Sequence, residues 1–335
     1  MPRCPISMII PIHNNEKTLA ACLDSILTQN ARDYEIILVN NGSSEESVAI
    51  CESYRAKDSR VKVIHMDHDT PASAANKGLE AATGKYVHFM GASDTLEENA
   101  LEKVVPILLQ NLDVIFLDSS LYQAPNFWDI SHQNVLRRLN KEIPARLWDK
   151  LIKRDLLTGA DIRFSKGIIW ESVDFCITLY IHATTYGAVD FPYYIRNEGT
   201  SVLDTETVFN RIILTLSKWA GPAESTFEEY STAIHAWMAA MYCDLLIPMY
   251  SQLSSGGRKL YGPGMKDFFW LLDTHKTREY QITKMLYSIF GPYITSLLFQ
   301  YKNRYVPSSK APRIIEIIHK QVNLIAAYCR SRISR

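Results

Sequence analysis

The sequence predicts a doubly wound α/β sheet, mostly parallel, followed by a helical C-terminal region. Three observations carry this. Two short runs rich in β-branched residues, 8–12 and 36–39, end in Asn, Gly and Ser turn chemistry, as buried parallel strands do. Between them Leu19, Cys22, Leu23, Ile26 and Leu27 recur at helical spacing, one apolar face on a crossover helix. Beyond Leu203 strand alternation gives way to long helical patterns. Units of this βαβ kind bind ligands at the carboxyl ends of their strands, where residues 11–14 and 40–44 fall.

The elements follow in order. Asn14 or Asn15 caps the first helix. Residues 45–57 form a polar helix with a Ser-rich start, and residues 61–65 a third strand. Thr70 and Pro71 open a small-residue helix over 72–82 that Gly84 stops, with Pro early and Gly late. A fourth strand, 85–90, runs into Gly91, Ala92, Ser93 and Asp94, and Asp94 or Thr95 starts a helix through Leu101. Residues 113–117 form a further strand, and this alternation gives the parallel sheet. Residues 120–145, with Pro125, Trp128 and Pro144, read as loop and short helix. Residues 146–154 read as a strand or turn leading to a helix. A helix over 168–186 shows an apolar face at Ile168, Phe175, Leu179 and Ala183, and residues 186–196 resemble a return strand. Further helices are expected at 208–219, 227–250, 266–273, 280–301 and 313–330. The domain boundary is placed between 1–204 and 205–335.

Composition narrows the class. With 335 residues, 47% hydrophobic and 21% charged, the chain is an ordinary globular protein with ample core. A formal net charge of zero gives no whole-chain argument for nucleic acid. Residues 301–335 nonetheless carry eight Lys and Arg against Glu316 alone, which reads as a patch for an anionic membrane surface or as a solvated helical tail. Six cysteines without a C-x-x-C pair read as free thiols in a reducing compartment. The N-terminal apolar run is short and broken by Pro11 and His13, unlike a signal peptide. No apolar run reaches the roughly 20 residues of a membrane span. The expected location is cytoplasmic, peripheral at the inner face of the membrane. Neither a metal-spaced histidine pair nor a Gly-x-Ser-x-Gly, Walker or Gly-x-Gly-x-x-Gly motif occurs, so zinc, serine hydrolase, NTPase and dehydrogenase chemistry is unsupported.

Five stretches, in this order and spacing, resemble a family 2 glycosyltransferase of the GT-A fold over residues 5–205. They are residues 9–14 with 23–27 behind them; 35–43; 76–79 with 82–87; 89–94; and 148–154 with 167–171. Residues 193–196 (Tyr-Tyr-Ile-Arg) and Ser201 also fit. The resemblance implies inverting transfer of a sugar from a nucleotide-diphosphate donor, of the UDP type, to a glycan or lipid-linked acceptor in bacterial surface-polysaccharide synthesis. The departing diphosphate needs a divalent cation, Mg2+ or Mn2+, or basic groups. The acceptor hydroxyl needs a carboxylate base.

Carried onto this chain, the resemblance implies Asp94 for the metal, with helix capping as its alternative role. It implies Glu171 and then Asp174 for the base, on one face if the segment is helical. Pro11, His13, Asn14, Asn41, Ser43, Asn76, Ser93, Asp94 and Arg196 are the donor-binding candidates. The chain departs from the family pattern in four places. Asn41 stands where an acid is common, Ala75 where an Arg is common, Gly91 and Ser93 where the Asp-x-Asp metal motif has carboxylates, leaving Asp94 alone, and Ser172 where an Asp commonly follows the Glu. These motivate an alternative: a catalytically impaired glycosyltransferase-like protein that binds nucleotide, glycan or a partner enzyme.

Overall fold

The computed structural model describes residues 5–31, 33–117, 147–165, 171–197, 204–220, 230–274 and 278–305. The chain divides into two compact units, Met1–Val202 and Leu203–Arg335.

The first unit opens with β1 (Ile6–Ile12), α1 (Leu19–Leu27), β2 (Tyr34–Asn41), α2 (Glu45–Lys57), β3 (Val61–Met66), α3 (Pro71–Ala81) and β4 (Tyr86–Phe89). These four strands pair in parallel, β1 lying between β2 and β4. Every residue of β2 is buried, as a strand covered on both faces requires. Leu19, Cys22, Leu23 and Ile26 of α1 pack with Met8, Ile10, Ile12, Ile36 and Leu38 in one core. The Thr70 hydroxyl caps α3 by accepting from the Ser73 amide at 3.2 Å, with Pro71 in the first turn.

Three further strands complete a seven-stranded sheet in the order β3-β2-β1-β4-β7-β6-β8. These are β6 (Val114–Phe116), β7 (Lys150–Lys153) and β8 (Tyr186–Ala188). Only β7 runs antiparallel to its neighbours, so the sheet is mostly parallel. α5 (Arg154–Gly159) follows β7, and α6 (Glu171–His182) precedes β8. Residues 120–145, Ile168 and Ser201 lie outside the described residues.

Local expectations are corrected at two places. Asn14 and Asn15 do not cap α1: Thr18 is its cap residue, without a side-chain bond. Asn14 takes a left-handed φ of 54° and accepts the Ser44 amide at 2.7 Å, tying the end of β1 to that of β2. Asp94 starts no helix. Thr95–Leu96 is a short strand, β5, paired antiparallel with β9 (Tyr194–Ile195) in a separate small sheet, and α4 (Ala100–Leu108) begins later. The expected return strand over 186–196 therefore splits between two sheets.

The second unit is helical among its described residues. α7 (Thr205–Trp219) is capped by Asp204, which accepts from the Thr207 amide at 2.9 Å. α8 (Ser231–Met241) continues into a π-helical stretch, Tyr242–Leu246. α9 (Ser255–Asp267) and α10 (Leu271–Thr274) replace the helix expected at 266–273. α9 contains Gly256, Gly257, Gly262, Gly264 and Pro263, which intrinsic propensity disfavours. Packing selects two of these: a Cβ at Gly257 would lie 2.6 Å from a Glu206 carboxylate oxygen, and one at Gly262 2.9 Å from the Tyr250 hydroxyl. α11 (Arg278–Tyr305) breaks at Gly291, where φ is 73°, before Pro292. Among the described residues no helix is long and apolar enough to cross a membrane. Cys22, Cys51, Cys176 and Cys243 are buried thiols, as expected, while Cys4 and Cys329 lie outside the described residues.

Candidate active site

The carboxyl ends of β1, β2 and β4 lie side by side, and the candidates gather there. Pro11 is the penultimate residue of β1, opposite Val39 of β2. The Ser43 hydroxyl donates to the Ile12 carbonyl at 3.2 Å, across Gly42, whose φ is 63°. His13 is exposed and stacks on His68, a residue the sequence reading did not select, with ring centroids 4.4 Å apart. Their Nδ1 atoms lie 2.9 Å and 3.3 Å from one acceptor, the Asn41 carbonyl. A carbonyl only accepts, so both rings carry a proton on Nδ1.

Two of the donor-binding candidates turn their amides to the protein backbone. Asn41 is buried, donates to the Asp69 carbonyl and accepts the Asp69 amide, both at 2.8 Å. Asn76 does the same with Phe164, both bonds measuring 2.9 Å. Each amide mimics a peptide group and fixes a distant loop, 67–70 in one case and 162–165 in the other.

The turn after β4 is held from two sides. From α1, the Thr18 hydroxyl donates to the Ala92 carbonyl at 3.1 Å, and the Cys22 thiol to the Gly91 carbonyl at 3.7 Å. Burial, aided by the Asp94 charge, pushes the Cys22 thiol up to about 12, so it stays protonated. From the β9 side, the Asn197 amide donates to Asp94 Oδ1 at 2.9 Å and the Tyr194 hydroxyl donates to Asp94 Oδ2. Burial and this bond to Asp94 push the Tyr194 hydroxyl far above its ordinary value. Ser93 completes the seam: its carbonyl accepts from the Asn197 side chain at 2.9 Å, and its hydroxyl donates to the Asn197 carbonyl at 3.3 Å. Gly91 is needed here, because a Cβ would lie 2.5 Å from Asp94 Oδ2. Asp94 is only 7% exposed, and it anchors a turn instead of capping a helix.

This seam carries Arg196 to the site. Its guanidinium lies over the Trp148 ring at 4.5 Å, a cation–π contact that keeps an exposed Arg in place with its N–H donors free to turn toward an anion. Trp148 opens the 148–154 stretch, and only its contact with Arg196 in the folded chain brings it into the candidate site.

The base candidates separate. Asp174 is 1% exposed and accepts from the Ser165 hydroxyl at 2.5 Å, so it braces the 162–165 loop from within the core. Glu171 is the first residue of α6, and its side chain lies outside the described ones.

A divalent cation at the 91–94 turn would find a single carboxylate. Asp94 is the one acidic side chain of the 91–94 turn, and both of its oxygens already accept a hydrogen bond. Among the described residues no group of three or more His, Cys, Asp or Glu is placed to hold a metal ion.

Comparison with known proteins bears on this arrangement. The family model described as glycosyl transferase family 2 matches residues 7–166. The chain is 28% identical over 214 residues to the uncharacterized glycosyltransferase EpsJ of Bacillus subtilis, covering 59% of this chain and 62% of that protein. It is 27% identical over 223 residues to the glycosyltransferase GlyG of Streptococcus pneumoniae, covering 60% and 73%. Among solved structures, Staphylococcus aureus TarS 1–349 in complex with UDP-GlcNAc superposes with a TM-score of 0.63 at 17% identity, over 90% of this chain and 91% of that one. The mannosyltransferase PcManGT of Pyrobaculum calidifontis, in complex with GDP-Man and Mn2+, gives 0.51 at 14% identity, over 90% and 88%. Residues 7–166 of this chain thus match the model of glycosyl transferase family 2, and the chain shares the GT-A fold of these solved structures.

Proposed function

We propose that the chain transfers a sugar from a nucleotide-diphosphate donor, of the UDP type, to a glycan or lipid-linked acceptor in surface-polysaccharide synthesis. One observation carries this reading: the β5–β9 seam fixes Arg196, seated on Trp148, next to the Asp94 turn at the carboxyl ends of a parallel sheet. The bond from the anomeric carbon to the diphosphate oxygen breaks as a bond from the acceptor oxygen forms on the opposite face, inverting the centre. Arg196 meets the negative charge gathering on the diphosphate. Glu171 takes the acceptor proton, since Asp174 is committed to Ser165. Asp94 holds the turn open through Tyr194 and Asn197, and the stacked His13 and His68 offer a polar platform to the nucleoside. The region 205–335 serves acceptor or membrane-surface association. The excess of Lys and Arg over 301–335 supplies the charge that attracts anionic lipid in this reading.

The test is a donor screen with nucleotide release as readout, on the wild-type chain and Glu171→Gln. Release that depends on donor and acceptor, and falls about a thousandfold in the variant, supports the reading. Nucleotide binding without turnover on any donor favours the impaired, binding-only alternative.

A further inference from the structure

His88, in the middle of β4, is fully buried, between Met8 of β1 and Leu151 of β7 in the sheet register. Its Nε2 lies 2.8 Å from the Trp148 carbonyl, which only accepts, so Nε2 carries the proton. Its Nδ1 meets no hydrogen-bond partner among the described residues, and neither does the buried Tyr193 hydroxyl. The ring stands edge-on to two consecutive tyrosines, Tyr193 at 5.7 Å and Tyr194 at 5.8 Å between centroids. An apolar residue would fill this position without leaving a buried lone pair unmet, which costs about 1–3 kcal/mol. The imidazole, however, touches both halves of the site above it. Through one hydrogen bond it fixes the backbone of Trp148, whose ring seats Arg196. Through its ring it braces Tyr194, whose hydroxyl holds Asp94.

We propose that His88 is the positioning residue of the donor site, setting Trp148 under Arg196 and Tyr194 against Asp94 from within the sheet. The proposal rests on the donor-site reading above. It touches no substrate itself and acts through these two aromatic side chains.

The test compares His88→Phe, which keeps the ring and loses the donor, with His88→Gln, whose amide N–H can reach the Trp148 carbonyl. The full chain is labelled with 5-fluorotryptophan, and the Trp148 signal is assigned with Trp148→Phe. The proposal expects the Trp148 resonance to shift in His88→Phe and to return toward its wild-type position in His88→Gln. It expects UDP affinity to fall about tenfold in the first and to stay within about twofold in the second. Thermal melts identify any variant that is not folded. If both folded variants keep the Trp148 resonance and the UDP affinity of wild type, His88 is a packing residue only and the proposal is wrong. The fluorine readout needs no nucleotide. A wild-type chain that binds no nucleotide overturns the donor-site reading, while the resonance still decides whether His88 sets Trp148.

Discussion

Asn76 and Phe164 pair edge to edge across 88 residues of sequence, the amide of one exchanging two hydrogen bonds of 2.9 Å with the backbone of the other. Asn41 and Asp69 repeat the arrangement at 2.8 Å. A loop that no sheet ladder reaches is thereby held by a side chain acting as a peptide group.

Removing either amide leaves a backbone donor and acceptor unpaired. Asn76→Ala and Asn41→Ala are each expected to lower stability by about 1–3 kcal/mol. Asn76→Asp keeps the acceptor but sets a carboxylate oxygen against the Phe164 carbonyl, and is expected to cost at least as much as Asn76→Ala. Urea denaturation measures these differences. Equal stability of wild type and Asn76→Ala shows that the pairing contributes nothing.

A second buried network lies at the opposite end of the sheet. Glu35 accepts from the Ser7 hydroxyl at 2.5 Å, the Thr83 amide at 2.7 Å, the Thr83 hydroxyl at 2.8 Å and Lys62 at 2.6 Å. Burial raises its pKa, but the bonds from Lys62, Ser7 and Thr83 outweigh that and hold it at about 2, below the ordinary 4.5. A carboxyl held low in the folded state stabilises above the unfolded value and loses that contribution as pH falls from 4.5 toward 2. Glu35→Gln is expected to cost about 1–3 kcal/mol at neutral pH and to flatten the acid limb of the stability curve in that window. An unchanged acid limb contradicts this role.

His88 shifts in the same direction for a different reason. Burial, opposed only by the Trp148 carbonyl, lowers its pKa to about 4 from 6.5. Met8 and Leu151 beside it in the sheet are apolar, Tyr193 and Tyr194 present ring edges, and the charged group beyond them is Asp94. The folded chain therefore resists protonation that the unfolded chain accepts. This contribution is complete above pH 6.5 and is lost as pH falls toward 4, an effect of about 3 kcal/mol. In His88→Phe that window flattens while the Glu35 window below 4.5 remains. Stability measured from pH 7 to 4 in both chains checks it, and parallel curves refute it.

Tyr194→Phe separates the anchoring of Asp94 from its charge. Loss of the hydroxyl leaves Asp94 with the Asn197 amide alone. Donor turnover is expected to fall about tenfold, with a smaller loss in Asp94→Asn, whose oxygen still accepts the Asn197 amide while its NH2 can donate to the Tyr194 hydroxyl oxygen. Turnover assays on the two variants rank them, and a Tyr194→Phe enzyme as active as wild type removes the hydroxyl from the site.

The parallel half of the sheet is legible in the sequence because burial on both faces forces continuous apolar runs such as 36–39, and the facing helix repeats its apolar residues at helical spacing. β5 and β9 are not legible. They are two-residue strands whose pairing is decided by Asp94 meeting Tyr194 and Asn197 about a hundred residues away. The roles of Asn41 and Asn76 are hidden for a chemical reason: an amide offers the same donor and acceptor to a nucleobase and to a backbone. α9 was missed because its glycines oppose helix formation locally and are selected by Glu206 and Tyr250. The motif singles out Arg196 as a candidate, whereas its seat on Trp148 and the buried His88 nearby are tertiary facts.

The measurement with most leverage is calorimetry of UDP and GDP binding to the full chain and to Arg196→Ala. A donor site built on Arg196 predicts UDP binding in the wild type that weakens about tenfold or more when the guanidinium is removed. Wild-type protein that binds neither nucleotide, or a variant that binds UDP as tightly as wild type, contradicts it.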